Sequence, residues 1–111
     1  MNYHNKKFKV LHNSENSDIG TELVFHYQQF ENIVSCSYAD TNILKGELLG
    51  LVKEDGRIEM SYQQIDNTYN LRTGTCISTP EIQDNGKLLL HEKWQWTSGD
   101  KSSGTSTLKE L

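Results

Sequence analysis

A carboxylate stands among large aromatic residues near the end of the chain. If residues 87–97 form a strand, Glu92 shares one face with Leu90 and Trp94. A carboxylate on an inward face must find a partner or become neutral. Glu92 is therefore a candidate for orienting a ligand or transferring a proton. The alternative is a structural role, in a salt bridge to Arg72 or in hydrogen bonds with tyrosine hydroxyls.

Aromatic residues with the same alternation supply the walls of a candidate pocket. Such rings can stack on a planar ligand while their polar groups fix its orientation. Their alternative role is to fill a core that is short of aliphatic side chains. The predicted ligand-binding residues are Tyr27, Tyr38, Tyr62, Arg72, Glu92, Trp94 and Trp96.

The other reactive side chains show no spacing that is typical of a site. Cys36 and Cys76 lie far apart, and no Cys-x-x-Cys pair exists for zinc or redox chemistry. We predict that both are buried, inert thiols. The four histidines show no metal-ligand spacing, so we predict neither a metal nor a cofactor.

Composition favours β-structure for the elements that must position these residues. The chain of 111 residues has one alanine, Ala39, against nine threonines, ten serines, nine asparagines and ten aromatic residues. Alanine is the best helix former, whereas threonine and aromatic residues suit strands and asparagine and serine suit turns. We therefore expect an all-β fold.

Charge and hydropathy exclude several classes of protein. The net charge of −4 argues against a general nucleic-acid binder, which would carry a basic patch. No apolar run approaches the roughly 20 residues of a spanning helix, and no secretory signal is visible. We expect one soluble, cytoplasmic domain over residues 1–111.

Turn signals recur at short intervals and divide the chain into eight candidate strands. Asp55-Gly56 and Asn85-Gly86 are strong hairpin signals between apolar alternations. Residues 21–31 and 87–96 also fit a helical face, but their flanking turns and aromatic residues favour strands. Short strands joined by tight turns predict an antiparallel up-and-down barrel, because closure removes exposed edges. The predicted strands are 6–13, 22–30, 33–39, 43–53, 57–65, 71–80, 87–97 and 104–111.

Period-two alternation predicts which side chains face the interior. It places Leu44 inward in strand 43–53, whereas it leaves the inward faces of strands 22–30 and 71–80 undecided. Gly46 and Gly50 add no side-chain volume, so they leave room for a ligand or for facing rings. The apolar residues that are predicted to face outward, and that would support self-association, are Ile43, Leu49 and Leu51.

Several motifs resemble those of a family of small bacterial proteins. The motifs are HEKWQWTSGD at 91–100, Phe25-His26-Tyr27, Lys45-Gly46 followed by Leu49-Gly50-Leu51-Val52, and Thr73-Gly74-x-Cys76. Members often carry the label N-acetylglutamate synthase, and the resemblance covers nearly the whole chain. It implies a small antiparallel barrel similar to avidin and other calycins, with no catalytic residues to carry over.

The synthase label conflicts with the residues themselves. Such acetyltransferases hold the pyrophosphate of acetyl-CoA at a helix N-terminus within a mixed α/β fold. This sequence has neither a Gly-rich turn that enters a helix nor enough helix for that fold. We instead predict an avidin- or lipocalin-like barrel that binds a small aromatic or amphipathic molecule. The alternatives are an enzyme with Glu92 as general acid or base, and a structural module that self-associates.

Overall fold

The computed structural model describes residues 1–14, 20 and 22–111. All regular elements in these residues are strands, and no helix there is long and apolar enough to cross a membrane. The nine strands are β1 Lys7–Asn13, β2 Val24–His26, β3 Gln28–Phe30, β4 Ile33–Tyr38, β5 Ile43–Val52, β6 Ile58–Asp66, β7 Leu71–Ile82, β8 Leu88–Trp96 and β9 Ser103–Glu110.

The strands form one antiparallel sheet in the order β2-β1-β9-β8-β7-β6-β5-β4-β3. The two outermost strands of this order, β2 and β3, are successive parts of one extended segment that is interrupted only at Tyr27. The Tyr27 N–H donates to Lys6 O at 2.9 Å, and Tyr27 O accepts from the Asn5 N–H at 2.9 Å. This segment brings the sheet round into a nearly closed barrel. The predicted fold is confirmed, with nine strands because the expected strand 22–30 divides in two.

Two of the hairpin turns depend on glycine. Gly56 and Gly86 have φ angles of 89° and 83°, a conformation that costs little without a Cβ atom. In the second turn, the Asn85 side chain accepts a hydrogen bond from the Lys87 N–H at 2.9 Å. These are the turns that the Asp-Gly and Asn-Gly signals predict.

A bulge in β5 changes part of the predicted interior. The register with β6 shifts between Ile43 and Lys45. Ile43 is therefore 1% exposed and Leu44 is 46% exposed. Both predictions for these residues are wrong, because one extra residue reverses the alternation of a strand.

The structure decides the inward face of the two predicted strands, 22–30 and 71–80, that the sequence left open. In β7, Cys76 and Ser78 are buried, whereas Ile77 is exposed. In the segment that contains β2 and β3, Tyr27 is buried and Phe30 is 73% exposed. The inward sets are therefore the ones that contain Cys76 and Ser78 in β7, and Phe25 and Tyr27 in the other segment.

Three inward aromatic rings lie over glycines that are paired with them on the next strand. A Cβ atom at each of these glycines would overlap the ring. The glycines therefore make room for facing rings, which is one of the two roles predicted for Gly46. The pairs are Tyr38 with Gly46, Tyr62 with Gly74, and Trp94 with Gly104.

We expect Gly46→Ala to lower the free energy of unfolding by about 1–3 kcal/mol, the usual cost of overfilling a core. The Tyr38 ring has little freedom to move, because its centroid lies 5.1 Å from that of the Phe25 ring. Its hydroxyl also donates to Gln64 Oε1 at 3.1 Å. Urea unfolding measures the effect. Gly20→Ala is the matched control, since its nearest contact would be Asp40 at 3.9 Å. Equal stability of the two variants would contradict the prediction.

The two ends of the barrel interior differ in chemistry. Tyr3 is fully buried at the end that carries the β5–β6 turn, where its hydroxyl donates to Gly56 O. Its backbone N–H donates to Gln29 Oε1 at 2.8 Å. Apolar side chains from β4, β5, β6 and β8 fill this end of the barrel. Tyr38, Gln64 and Trp96 lie towards the other end, which we call the mouth.

Candidate functional site

A small cavity lies inside the barrel. Its volume is about 50 Å³. Glu92 is the only charged residue among those lining the cavity in the described part of the chain. The lining residues are Val10, Asn13, Phe25, Tyr27, Tyr38, Leu48, Met60, Tyr62, Cys76, Glu92, Trp94, Trp96, Ser106 and Leu108.

The structure brings together all of the predicted site residues except Arg72. The Cζ atom of Arg72 lies 3.9 Å from the centroid of the Trp96 ring, near the mouth. The pKa of Asp100, in the β8–β9 connection, is lowered first by hydrogen bonds from Ser102 and further by the charge of Arg72. Arg72 therefore belongs to the rim of the cavity. The predicted residues that line the cavity are Tyr27, Tyr38, Tyr62, Glu92, Trp94 and Trp96.

Glu92 lies in the middle of the inward face of β8. It is directly opposite Ser78 on β7 and Ser106 on β9. Burial raises the pKa of Glu92 to about 7, and the Ser78 hydroxyl acts in the opposite direction. Among the described residues no cationic side chain pairs with Glu92, because Arg72 lies over Trp96 instead. The salt bridge considered as an alternative role for Glu92 is not formed.

The groups that face Glu92 are neutral at neutral pH. Burial raises the pKa of Tyr27, Tyr38 and Tyr62 above their ordinary value, and the charge of Glu92 adds to each rise. Burial and Glu92 also raise the pKa of the Cys76 thiol. An ionised Glu92 would therefore give the cavity a negative potential that its immediate neighbours do not balance.

The cysteines and histidines form no reactive centre in the described residues. Cys36 and Cys76 are both buried and free, as predicted for their burial. Burial raises the pKa of Cys36 to about 11, so it is a thiol at neutral pH. No group of three or more metal-ligating side chains occurs among the residues that the structure describes.

A chain of polar contacts crosses from β8 to β1. Trp94 Nε1 donates to Ser106 Oγ at 3.0 Å, and Ser106 Oγ donates to Asn13 Oδ1 at 2.6 Å. Sequence reasoning placed Asn13 at the end of the predicted strand 6–13 and missed its contribution to the cavity. Its position depends on the register with β9, which pairs Asn13 with Ser106. No local motif signals such a pairing.

Three buried polar atoms have no hydrogen-bond partner within the described residues. They are Gln64 Nε2, Ser78 Oγ and Trp96 Nε1. Buried polar groups nearly always have partners, and Trp96 lines the cavity, so its Nε1 is available to a ligand or to water. The Ser78 hydroxyl instead acts on Glu92 and lowers its pKa. Gln64 lay on a predicted inward alternation, whereas the face of the strand that carries Ser78 was left undecided.

The connection between β8 and β9 is tied to β7. The Trp96 N–H donates to Ser102 O and the Thr97 N–H donates to Thr73 O, each at 2.8 Å. The Thr73 N–H in turn donates to Ser98 Oγ at 3.0 Å. These bonds fix both the start and the end of the connection beside the mouth.

The model of the avidin-like protein family matches residues 1–111. The chain belongs to the avidin-like family. This match confirms the barrel that the sequence motifs implied and gives no support to the synthase label. No curated protein and no solved structure matches the chain.

The outer wall of this avidin-like barrel carries exposed apolar side chains. Phe30 pairs with Ile33, which pairs with Leu51, so the three form one row across β3, β4 and β5. Leu49, at 61% exposure, lies in the next row. We call these four residues the outer apolar patch.

Proposed function

We propose that the barrel binds a small molecule in its interior cavity and at its mouth. The observation that carries this proposal is an interior cavity lined by aromatic rings, a carboxylate and the unpartnered Trp96 Nε1 donor. Trp96 Nε1 could bond to a ligand at no cost in existing hydrogen bonds. Aromatic walls with a few fixed polar groups are typical of small-molecule sites.

The volume of the cavity limits what enters it. A space of about 50 Å³ accommodates a small group. The remainder of a larger ligand would lie at the mouth, where Tyr62 is half-buried and Arg72 covers Trp96. We therefore expect a ligand with a small inner end.

Binding explains the site better than acid–base catalysis does. A carboxyl group with a pKa of about 7 is suited to proton transfer at neutral pH. Catalysis usually needs a second activated group, however, and burial raises the pKa of both Cys76 and Tyr62. Each of these neighbours is protonated at neutral pH, which leaves Glu92 without a nucleophile or base beside it.

A ligand should change tryptophan fluorescence and raise the melting temperature together. The two tryptophans of the chain, Trp94 and Trp96, both line the cavity, so a bound molecule alters their surroundings. A ligand at about 100 times its Kd stabilises the fold by about 2.7 kcal/mol. The measurement is a screen of small amines, alcohols, carboxylates and heterocycles. If no compound in these classes changes either signal, the proposal is wrong.

We expect Trp96→Phe to weaken binding of a hit about tenfold. The ring face is retained, but the Nε1 donor is lost, and one hydrogen bond contributes about 1–1.5 kcal/mol. Titration of the hit by calorimetry measures the change. Tyr69→Phe is the control, because Tyr69 is 82% exposed and lies outside the lining. Unchanged affinity in Trp96→Phe would place the ligand elsewhere.

We also propose that two copies of the barrel associate through the outer apolar patch. Phe30 is 73% exposed and Leu51 is 53% exposed, and large apolar patches mark interaction surfaces. Self-association through Leu49 and Leu51 is the sequence prediction, with Ile43 now removed from the set because it is buried. The neighbouring Phe30 and Ile33 enlarge the surface that remains.

Leu51→Lys should shift the protein towards monomer, because a second copy would have to bury a charge. Light scattering over a dilution series measures the mass. Leu71→Lys is the matched control, since Leu71 is 60% exposed and lies outside the patch. A wild-type protein that is monomeric at every concentration would contradict this proposal.

A further inference from the structure

We propose that the ligand of the cavity is a small organic cation, a protonated amine whose ammonium group binds between Glu92 and the aromatic rings. This inference rests on the proposed function and narrows it to one chemical class. It depends on the charge of the lining, on the rings, and on the placement of the unpartnered Trp96 Nε1 donor.

The charge of the lining favours a cation over a neutral or anionic ligand. Glu92 is the only charged residue in the described lining, and no cationic side chain among the described residues pairs with it. Glu92 is half-buried, and an ammonium group beside it would stabilise its charged form. An anionic ligand would meet repulsion from the same carboxylate. A neutral ligand would leave Glu92 to take up a proton or remain unpaired.

The rings add a second attraction for positive charge. Cations bind over the faces of aromatic rings, most strongly over tryptophan. The protein already contains one such contact, between Arg72 and Trp96. Trp96 also makes edge-on ring contacts, with its centroid 5.2 Å from that of Tyr62 and 6.4 Å from that of Trp94. This ring cluster is therefore held in place before a ligand arrives.

The positions of Glu92 and of the unpartnered Trp96 donor suggest how the cation would be oriented. Both residues line the cavity, and Glu92 lies in the middle of β8. Trp96 ends β8 nearer the mouth, and its Nε1 is a donor without a partner among the described residues. The ligand should therefore carry its ammonium group at the inner end and a hydrogen-bond acceptor towards the mouth.

Within the residues that the structure describes, no titratable group that faces Glu92 would compete for the role of the cation. The groups are Tyr27 between β2 and β3, Tyr38 on β4, Tyr62 on β6 and Cys76 on β7. Each of these groups becomes negative when it loses its proton, so none of them can act as a cation. An ammonium group would stabilise the ionised form of Glu92, so its binding should release protons when Glu92 is partly protonated.

Three probes of similar size test the inference: 2-methoxyethylamine, 2-methoxyethanol and methoxyacetate. They share an ether oxygen and differ in the charge of one end. We expect the amine to bind at least about tenfold more tightly than the alcohol, and the acid not to bind. Tryptophan fluorescence gives the affinities. Calorimetry in two buffers of different ionisation enthalpy should show the release of up to about half a proton per amine near pH 7.

Glu92→Gln is the decisive variant, and Glu47→Gln is its control. Both substitutions remove one negative charge, but Glu47 is exposed on the outer wall of β5. We expect Glu92→Gln to lose the preference for the amine and the proton release, while Glu47→Gln retains both. If the alcohol or the acid binds the wild-type protein as tightly as the amine, the inference is overturned and the proposed function stands. If no probe binds, the inference is overturned, and the wider screen decides the proposed function separately.

Discussion

Tyr3→Ala should lower the free energy of unfolding by about 3–5 kcal/mol, the usual cost of removing a large buried aromatic side chain. Tyr3 is fully buried, although it precedes the first strand by four residues. It contacts Tyr27 with ring centroids 6.4 Å apart, and its hydroxyl donates to Gly56 O. The side chain thus joins the start of the chain to the β5–β6 turn and closes one end of the interior.

Two further variants separate the ring from its hydroxyl. Tyr3→Phe keeps the ring but leaves the Gly56 carbonyl without this donor, so we expect a loss of about 1–2 kcal/mol. Tyr69→Ala removes an aromatic side chain that is 82% exposed and should change stability by less than about 0.5 kcal/mol. Urea unfolding followed by tryptophan fluorescence measures all three. A loss below about 1 kcal/mol in Tyr3→Ala would mean that this end of the barrel is closed by other residues.

Much of the barrel could be predicted from the sequence, because each strand has one face inside and one in solvent. On β8, Leu90, Glu92 and Trp94 alternate with exposed polar residues, and the structure places all three inward. The prediction failed at Ile43 and Leu44, where a bulge inserts one residue. The bulge arises from pairing between β5 and β6 and leaves no mark in the local sequence.

Some residues of the candidate site are placed by the alternation of their own strand, and others by contacts with residues distant in the sequence. Tyr62 and Trp96 line the cavity because they lie on inward alternations, which the sequence displays. Arg72 also starts on an inward face, but its long side chain extends to the Trp96 ring at the rim. Asn13 and Tyr3 enter the interior through contacts with residues far away in the sequence. Such placements depend on the register and closure of the whole barrel.

The glycine-ring pairs explain how a small barrel with many aromatic residues keeps any cavity. The Tyr62 ring lies against the wall over Gly74, and the Trp94 ring lies over Gly104. A larger residue in place of either glycine would push its ring towards the centre. The sequence left open whether Gly46 and Gly50 make room for a ligand or for rings. Gly46 makes room for the Tyr38 ring, whereas Gly50 lies against Ile58 and Met60. The cavity that remains beside Glu92 is correspondingly small.

Glu92→Gln should stabilise the protein by about 3 kcal/mol at alkaline pH, because burial disfavours the charged carboxylate. The folded-state pKa of about 7 lies above the ordinary value of 4.5, so the folded protein binds this proton more tightly than the unfolded chain does. Stability from Glu92 is therefore fully present below about pH 4.5 and is lost as the pH rises through 7. Glutamine stays neutral throughout and avoids this loss, which amounts to about 1.4 kcal/mol per pKa unit.

The difference between the unfolding free energies of Glu92→Gln and wild type, measured in urea from about pH 4.5 to about pH 8, isolates this titration. We expect the difference to grow with pH and the melting temperature of the variant to exceed that of wild type by on the order of 10 °C at about pH 8. Glu47→Gln, on the outer wall, should follow the wild-type curve at every pH. Parallel curves for Glu92→Gln and wild type would mean that Glu92 is solvated in the folded barrel. A divergence would mean that the fold retains a destabilising carboxylate in its interior, which is expected of a residue kept for binding rather than for stability.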